Sequence, residues 1–326
     1  MTLDPLSWEL LALIAAALAI DLWLGDPSWL PHPVVGIGRG IARLERAWNH
    51  GPAEARRRRG VWLAVVVVGG TWGLAWGLLT VLAGVSSGLS IAVELVLLAT
   101  TFATRGLAEA ARAVAEPLHR GDLPAARRAL GRIVGRDTEA LDESRLARGT
   151  VETVAENTVD GITAPLCWAL LGGAPLALAY KAVNTLDSMV GYRSPRYEDF
   201  GRASARLDDA VNWLPARFTA LAMWLAARLV VGGRTKGALA ATRREAPRHP
   251  SPNAGWPEAM VAHLLGVELG GLNHYNGRPS HRATLGRARQ PLAVGHIERA
   301  IRHMHGGWLG VLALLAPLVL LREWLI

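Results

Sequence analysis

Three groups of polar residues recur at helical spacing inside a chain otherwise rich in Leu, Ala, Val and Trp. In the first, Glu152 and Glu156 stand one helical turn apart, and Asn157 and Asp160 follow at the next steps, so a helix would carry them together. Two carboxylates side by side repel unless a cation or a shared proton separates them, and a hard cation such as Mg²⁺ takes oxygen ligands of this kind. The same spacing also describes a solvated helix face. In the second group, Lys181, Asn184 and Asp187 share one face of an otherwise apolar segment. A lysine there can bind a phosphate while the aspartate binds its counter-metal; the alternative is a buried Lys–Asp pair that orients helices. In the third, Asp208 and Asp209 with Asn212 form a further acidic patch, a pattern that also caps helix ends.

Weaker candidates flank these groups. Asp26-Pro27 and His32-Pro33 mark a rigid turn, where His32 is either a general acid or base or simply a turn histidine. Ser251-Pro252-Asn253 leads into Trp256, Pro257 and Glu258, a helix start. The glycine-bearing stretch from Leu269 to Gly277 could cradle an anion but matches no phosphate-loop pattern. The histidines form no HExxH, so zinc has no support, and Cys167 is alone, so there is neither a disulfide framework nor a cysteine metal cluster.

The elements that must position these groups read as membrane helices. The chain has 326 residues, 51% of them hydrophobic, and its mean hydropathy is +0.22. Apolar segments run over about 8–24, 61–83, 89–103, 162–180, 211–231 and 308–321, against the ~17 to 25 residues that a spanning helix needs. Asp4, Glu9 and Asp21 argue against a signal peptide at 8–24, which reads as a retained first membrane helix. Ionisable groups are costly at membrane depth, and where they persist they usually line a site or a pathway.

Arginine supplies nearly all of the positive charge behind the net +8, since Lys181 and Lys236 are the only lysines. Arg39, Arg43, Arg46 and Arg56 to Arg59 lie in one connection, whereas 84–88 carries no charge. That asymmetry is the positive-inside pattern, not a nucleic-acid surface; it puts 26–60 in the cytoplasm and 84–88 outside. The polar stretches 104–160 and 233–305 also read as cytoplasmic. Either 162–180 and 211–231 both cross, leaving 181–210 outside, or neither crosses fully. Pro165, Gly172, Gly173 and Pro175 favour broken or buried segments that keep the polar block reachable from the cytoplasm. Asp122, Pro124 and the apolar Leu130, Ile133 and Val134 predict a helix in the first arm. No alternating run reads as a good strand, and no repeat is visible. The expected fold is all-α: a single polytopic integral-membrane domain with broken or re-entrant segments and cytoplasmic helical arms.

Six blocks carry a resemblance to a known family. They are DLWLGDPSWLPHPVVGIGR from Asp21, IVGRDT from Ile133, VETVAENTVDGITAPL from Val151, GGAPLALAYKAVNTLDSMVGYRSPRYEDFG from Gly172, SARLDDAVNWLPAR from Ser204 and SPNAGWPEAM from Ser251. In this order they closely resemble the integral-membrane cobinamide-phosphate synthases of cobalamin biosynthesis, the CbiB/CobD family. The resemblance implies ATP-dependent amide formation between adenosylcobyric acid and (R)-1-amino-2-propanol or its O-phosphate, with Mg²⁺, although no ATP motif is visible.

Joined to the spacings above, the resemblance nominates Glu152, Glu156, Asn157, Asp160, Lys181, Asn184, Asp187, Asp208 and Asp209 as catalytic. Glu156, Asp160 and Asp187 are the expected metal ligands. Asp26, His32, Arg136, Asp137, Tyr192, Asn212, Ser251 and Asn253 are the expected cofactor-binding residues. Partners would be the two substrates, the bilayer of the inner cell membrane and other late membrane enzymes of the pathway, with no nucleic acid. The alternatives are a membrane phosphotransferase acting on lipid, an AmpE-like signalling protein, or a transporter.

Overall fold

The structure, a computed structural model, describes residues 4–27 and 32–325. The tip of the Asp26–His32 turn, 28–31, lies outside the described residues. In chain order the helices are α1 (Trp8–Leu24), α2 (Pro33–Trp48), α3 (Ala53–Val85), α4 (Ser87–Ala99), α5 (Thr104–His119), α6 (Leu123–Leu130) and α7 (Glu143–Thr158). A π-helical turn at Val159–Thr163 leads into α8 (Ala164–Val190), followed by α9 (Arg202–Ala226), α10 (Ala238–Glu245) and α11 (Gly255–Leu265). Strands β1 (Glu268–Tyr275) and β2 (Arg278–Gly286) precede α12 (Gly295–Leu325). The protein is an all-α polytopic membrane protein: among the described residues five helical stretches are long and apolar enough to cross a bilayer, namely 53–85, 87–119, 143–190, 202–231 and 295–322. At 17 residues, α1 is not among these five.

The chain divides into two compact units. The first comprises 1–103, 164–212 and 316–326. Here α3 packs along α8, α2 bridges both, and α4 lies against α1 and α8. Its buried core joins Ile41, Leu63, Val67, Leu186, Val190 and Phe200. Gly60 allows a close approach, because a Cβ there would fall 1.9 Å from the Phe200 carbonyl oxygen. The expected break in the apolar run at 162–180 is present: Gly172 and Gly173 leave helical geometry, Gly173 at φ +62°. The N–H of Ala174, just past the break, donates to Glu94 Oε1 at 3.2 Å.

Asp199 accepts from Arg56 at 2.8 Å and from Arg57 at 2.7 Å, and Glu45 on α2 accepts from Arg196 at 2.9 Å. Residues 191–201 are therefore clamped to the arginine-rich end of α3 and to α2.

The second unit comprises 104–163 and 213–315. Helices α5, α6 and α7 pack on one another, and α11 packs on α7 and on the hairpin of β1 and β2. Helix α6 starts as expected, with Asp122 accepting from Ala125 N–H at 3.0 Å, but it ends at Leu130, before Ile133 and Val134.

The hairpin overturns the expectation that no run reads as a good strand, and the stretch from Leu269 to Gly277 falls in β1 and its turn. Its strands pair antiparallel from Glu268↔Gly286 to Tyr275↔Arg278, and the turn is Asn276-Gly277, both with positive φ. That dipeptide suits the two-residue turn whose twist matches paired strands.

Candidate functional site

Each unit gathers its own set of carboxylates. In the first, Asp187 lies near the end of α8 and Asp208 and Asp209 lie on α9. Asp208 has Asp187 and Asp209 as charged neighbours and the Asn184 and Asn212 carboxamides beside it. Asn212 is buried and accepts from the Tyr180 hydroxyl at 2.8 Å. Asp208 Oδ1 and Asn212 Nδ2 are buried without hydrogen-bond partners. Gly191 keeps the space beside Asp187 open, since a Cβ there would meet Asp187 Oδ1 at 2.0 Å. Lys181 is half-buried two turns earlier on α8, and Tyr192 is exposed just past its end. The second and third sequence groups thus meet in space, with Asp187 and Asn184 beside Asp208.

At the N-terminal turn of the same unit, His32 caps α2. Its Nδ1 accepts from Val34 N–H at 3.2 Å, and its Nε2 faces Asp26 Oδ1 at 3.5 Å. The imidazole fills the role of a capping side chain there.

In the second unit Glu152 is buried in a network. Its Oε2 accepts from Arg136 at 2.5 Å, its Oε1 accepts from Gly270 N–H at 2.7 Å, and Arg148 lies 3.7 Å away. Asn273 Oδ1 accepts from both arginines, at 2.7 and 3.0 Å. Asp137 accepts from the N–H groups of Asn276 and Gly277, so it binds the hairpin turn. Ser251 Oγ accepts from Asn253 and Ala254 N–H, and Asn253 Oδ1 accepts from Arg217 at 3.4 Å. Arg217 itself stacks on Trp213 and Trp256. Arg136, Asp137, Ser251 and Asn253 therefore spend these groups on protein partners. Beside them a cavity of about 680 Å³ is lined by Arg136, Asp137, Arg145 and His274.

Three residues outside the nominated set complete this network: Glu258, His249 and Arg282. Glu258 is fully buried on α11, and its Oε1 lies 3.7 Å from His249 Nε2; neither atom has a hydrogen-bond partner. Burial pushes the Glu258 carboxyl well above its ordinary range, and the charges of Glu152 and Glu156 push the same way. Burial lowers the His249 pKa, with Arg282 adding to it. Both shifts lean towards the uncharged forms. Burial alone would lower the Arg282 pKa; Tyr275, Glu258, Glu156 and Glu152 outweigh it and hold it high.

Glu156, Asn157 and Asp160 are half-buried, and Asn157 donates to the Thr153 carbonyl at 3.0 Å. Asp160 lies in the π-helical turn, where the added residue re-aims side chains. Of the expected metal ligands, Glu156 and Asp160 belong to the second unit and Asp187 to the first. Among the described residues no group of three or more His, Cys, Asp or Glu is arranged to hold a metal ion. Mg²⁺ ordinarily takes one or two carboxylates and completes its shell with water and phosphate oxygens, so the Asp187 carboxylate would suit it without a larger acidic cluster.

Helices of spanning length, broken where buried carboxylates and carboxamides gather, define a polytopic membrane protein with ionisable groups held inside its helical frame. A family model described as CobD/Cbib protein matches residues 14–304, and the chain belongs to that family. It is 49% identical to "Cobalamin biosynthesis protein CobD" of Halalkalibacterium halodurans, covering 93% of this chain and 94% of that protein. It is 48% identical to the protein of the same name in Klebsiella pneumoniae, covering 94% and 96%. It is 46% identical to "Cobalamin biosynthesis protein CbiB" of Salmonella typhimurium, covering 94% and 95%. No solved structure matches the chain.

Proposed function

We propose that this protein is the amide-forming ligase that joins adenosylcobyric acid to (R)-1-amino-2-propanol or its O-phosphate, with ATP as co-substrate. The observation that carries the reading is near-full-length similarity to proteins named for cobalamin biosynthesis. The acidic cluster supplies groups suited to the chemistry. A propionate is a poor electrophile because an oxide would have to leave. Transfer of the terminal phosphoryl of ATP to the propionate oxygen gives an acyl phosphate and ADP. The ammonium of the second substrate gives up a proton, its nitrogen attacks the acyl carbon, and the C–O bond to phosphate breaks. A second proton leaves as the amide forms, so the products are amide, ADP, phosphate and one proton.

In this reading Asp208 is the proton acceptor, because its buried Oδ1 has no partner. Lys181 neutralises phosphate charge, while Asn184 and Asn212 orient Asp208. Bound Mg²⁺ would take oxygens from Asp187 and would offset charge on the transferring phosphoryl; Glu156 and Asp160 are the candidate ligands of the second unit taken by itself.

Purified protein incubated with both substrates, Mg²⁺ and ATP should yield a product heavier by the condensed amine, read by mass, together with ADP. Phosphorylation of a lipid instead would replace the reading with the phosphotransferase. In cells, a deletion strain should fail to use adenosylcobyric acid yet recover with cobinamide; no recovery would move the block to another step.

The site faces the cytoplasm of the inner membrane in this reading. Single cysteines at the exposed Ser86 or Ser87, in a Cys167→Ser background, should react with an impermeant thiol reagent from outside, and one at Arg57 should not. Outside labelling at Arg57 would reverse the orientation.

A further inference from the structure

The second unit holds a basic pocket apart from the carboxylate network. It encloses about 590 Å³, and Arg234, Lys236, Arg244, Arg287 and Arg289 all line it. The backbone brings these residues together from separate stretches of sequence. Arg234 N–H donates to the Leu264 carbonyl at 3.0 Å, and Arg289 N–H to the Gly266 carbonyl at 3.1 Å, so both segments are tied to the end of α11. Gly266, at φ +69°, lets the Arg234 side chain cross it, since a Cβ would lie 2.7 Å from Nε.

The pocket's lone carboxylate, Glu245, is already committed. Its Oε2 contacts His263 Nε2 at 2.9 Å and accepts from Gly286 N–H at 2.8 Å. None of the five cations makes an ion pair or a side-chain hydrogen bond among the described residues. Like charges gathered in a concavity repel one another and lower the cost of bringing in an anion. Arginine forks match phosphate oxygens in particular.

We infer that this pocket binds a phosphate-bearing anion of more than one negative charge. The nucleotide triphosphate required by the ligase reading is one such anion, and an anionic phospholipid headgroup is another; the charge argument stands without that reading.

The test measures binding without turnover. Full-length protein in neutral detergent is titrated with pyrophosphate and with ATP by calorimetry, and phospholipid retained through purification is counted by phosphorus assay. In Arg287→Gln/Arg289→Gln, affinity for the soluble anions should fall by roughly tenfold or more if their source is soluble, the scale expected for losing two charge-assisted contacts. If the source is lipid, retained anionic phospholipid should fall instead. Arg128→Gln, at an exposed position outside the pocket, should change neither. Arg244→Gln serves as an independent second variant should the double variant misfold. Unchanged soluble-anion affinity together with unchanged lipid retention in a folded pocket variant would overturn the inference. It would leave the ligase reading standing, since product formation is read separately.

Discussion

The two carboxylate sets use the same residue types to opposite ends. Both oxygens of Glu152 have donors: Arg136 and a backbone N–H bond to it, Arg148 lies within ion-pair distance, and the hairpin is tied to α7 through it. Around Asp208 the neighbours are other carboxylates and neutral carboxamides, and one oxygen is left bare. A satisfied buried charge holds structure, and an under-compensated one is kept for something that arrives later. The difference is in the counter-charges, not in the acids themselves.

The sharpest break of this comparison comes from amide substitutions in the bare cluster. Asp208→Asn and Asp187→Asn should each cut amide formation by ~10²-fold or more, the scale for losing a group that stabilises transition-state charge. Both should stay folded, and their melting in detergent should not fall, because removing one of several like charges relieves repulsion. Wild-type turnover in either would turn that cluster into a structural one. Lys181→Met should show a smaller loss, mainly in the response to ATP concentration.

Glu152→Gln should behave in the opposite way. It strands Arg136 and Arg148 in a buried site, a loss of roughly 3–5 kcal/mol in stability. Yield and thermal stability should drop, and Arg136→Met in the same chain should return part of both. A stable but inactive Glu152→Gln would move this residue into the reacting set.

A smaller effect separates the Glu258–His249 contact from both. Glu258 titrates above its ordinary range in the folded protein. At low pH both states hold the proton; as pH rises through the ordinary carboxylate range the unfolded chain ionises first, and stability falls until Glu258 ionises as well. Glu258→Gln should therefore flatten the decline in stability on the alkaline side of that range. His249, whose pKa is lowered, has the opposite sign, so its contribution is lost as pH falls below the ordinary histidine value. An unchanged pH profile in Glu258→Gln would mean the carboxyl is ionised in the fold.

Much of the frame was legible because it rests on local signals. The bounds of α1, the cap at Asp122 and the break at Gly172–Gly173 all follow from composition and from residues with restricted or unusual backbone freedom. Asp187 and Asp208 were each legible as polar positions between apolar stretches, but their meeting was not, since it joins two helices.

The hairpin was not, because Gly270–Gly271 interrupts the alternation at a bulge, although the Asn276-Gly277 turn was the available signal. The partners of Glu152 and Glu258 were hidden for another reason. Glu152 meets Gly270 across 118 positions, and no periodicity reports a contact of that span. His32 and Ser251 spend hydrogen bonds on the backbone beside them, and Asp137 spends its own on the distant hairpin turn, contacts that a motif does not report.

The broken α8 also bears on how the protein is made. Past Gly173 a fresh helix begins, and its first N–H groups have no carbonyl of their own to donate to. Glu94, on α4, supplies the oxygen that Ala174 needs, an N-cap borrowed from a neighbouring helix. In hydrocarbon an unsatisfied N–H costs several kcal/mol, so α8 cannot settle there as a lone segment. Chain order resolves this: residue 94 leaves the ribosome some eighty positions before residue 174, and the acceptor is already waiting in the membrane when its donor is synthesised.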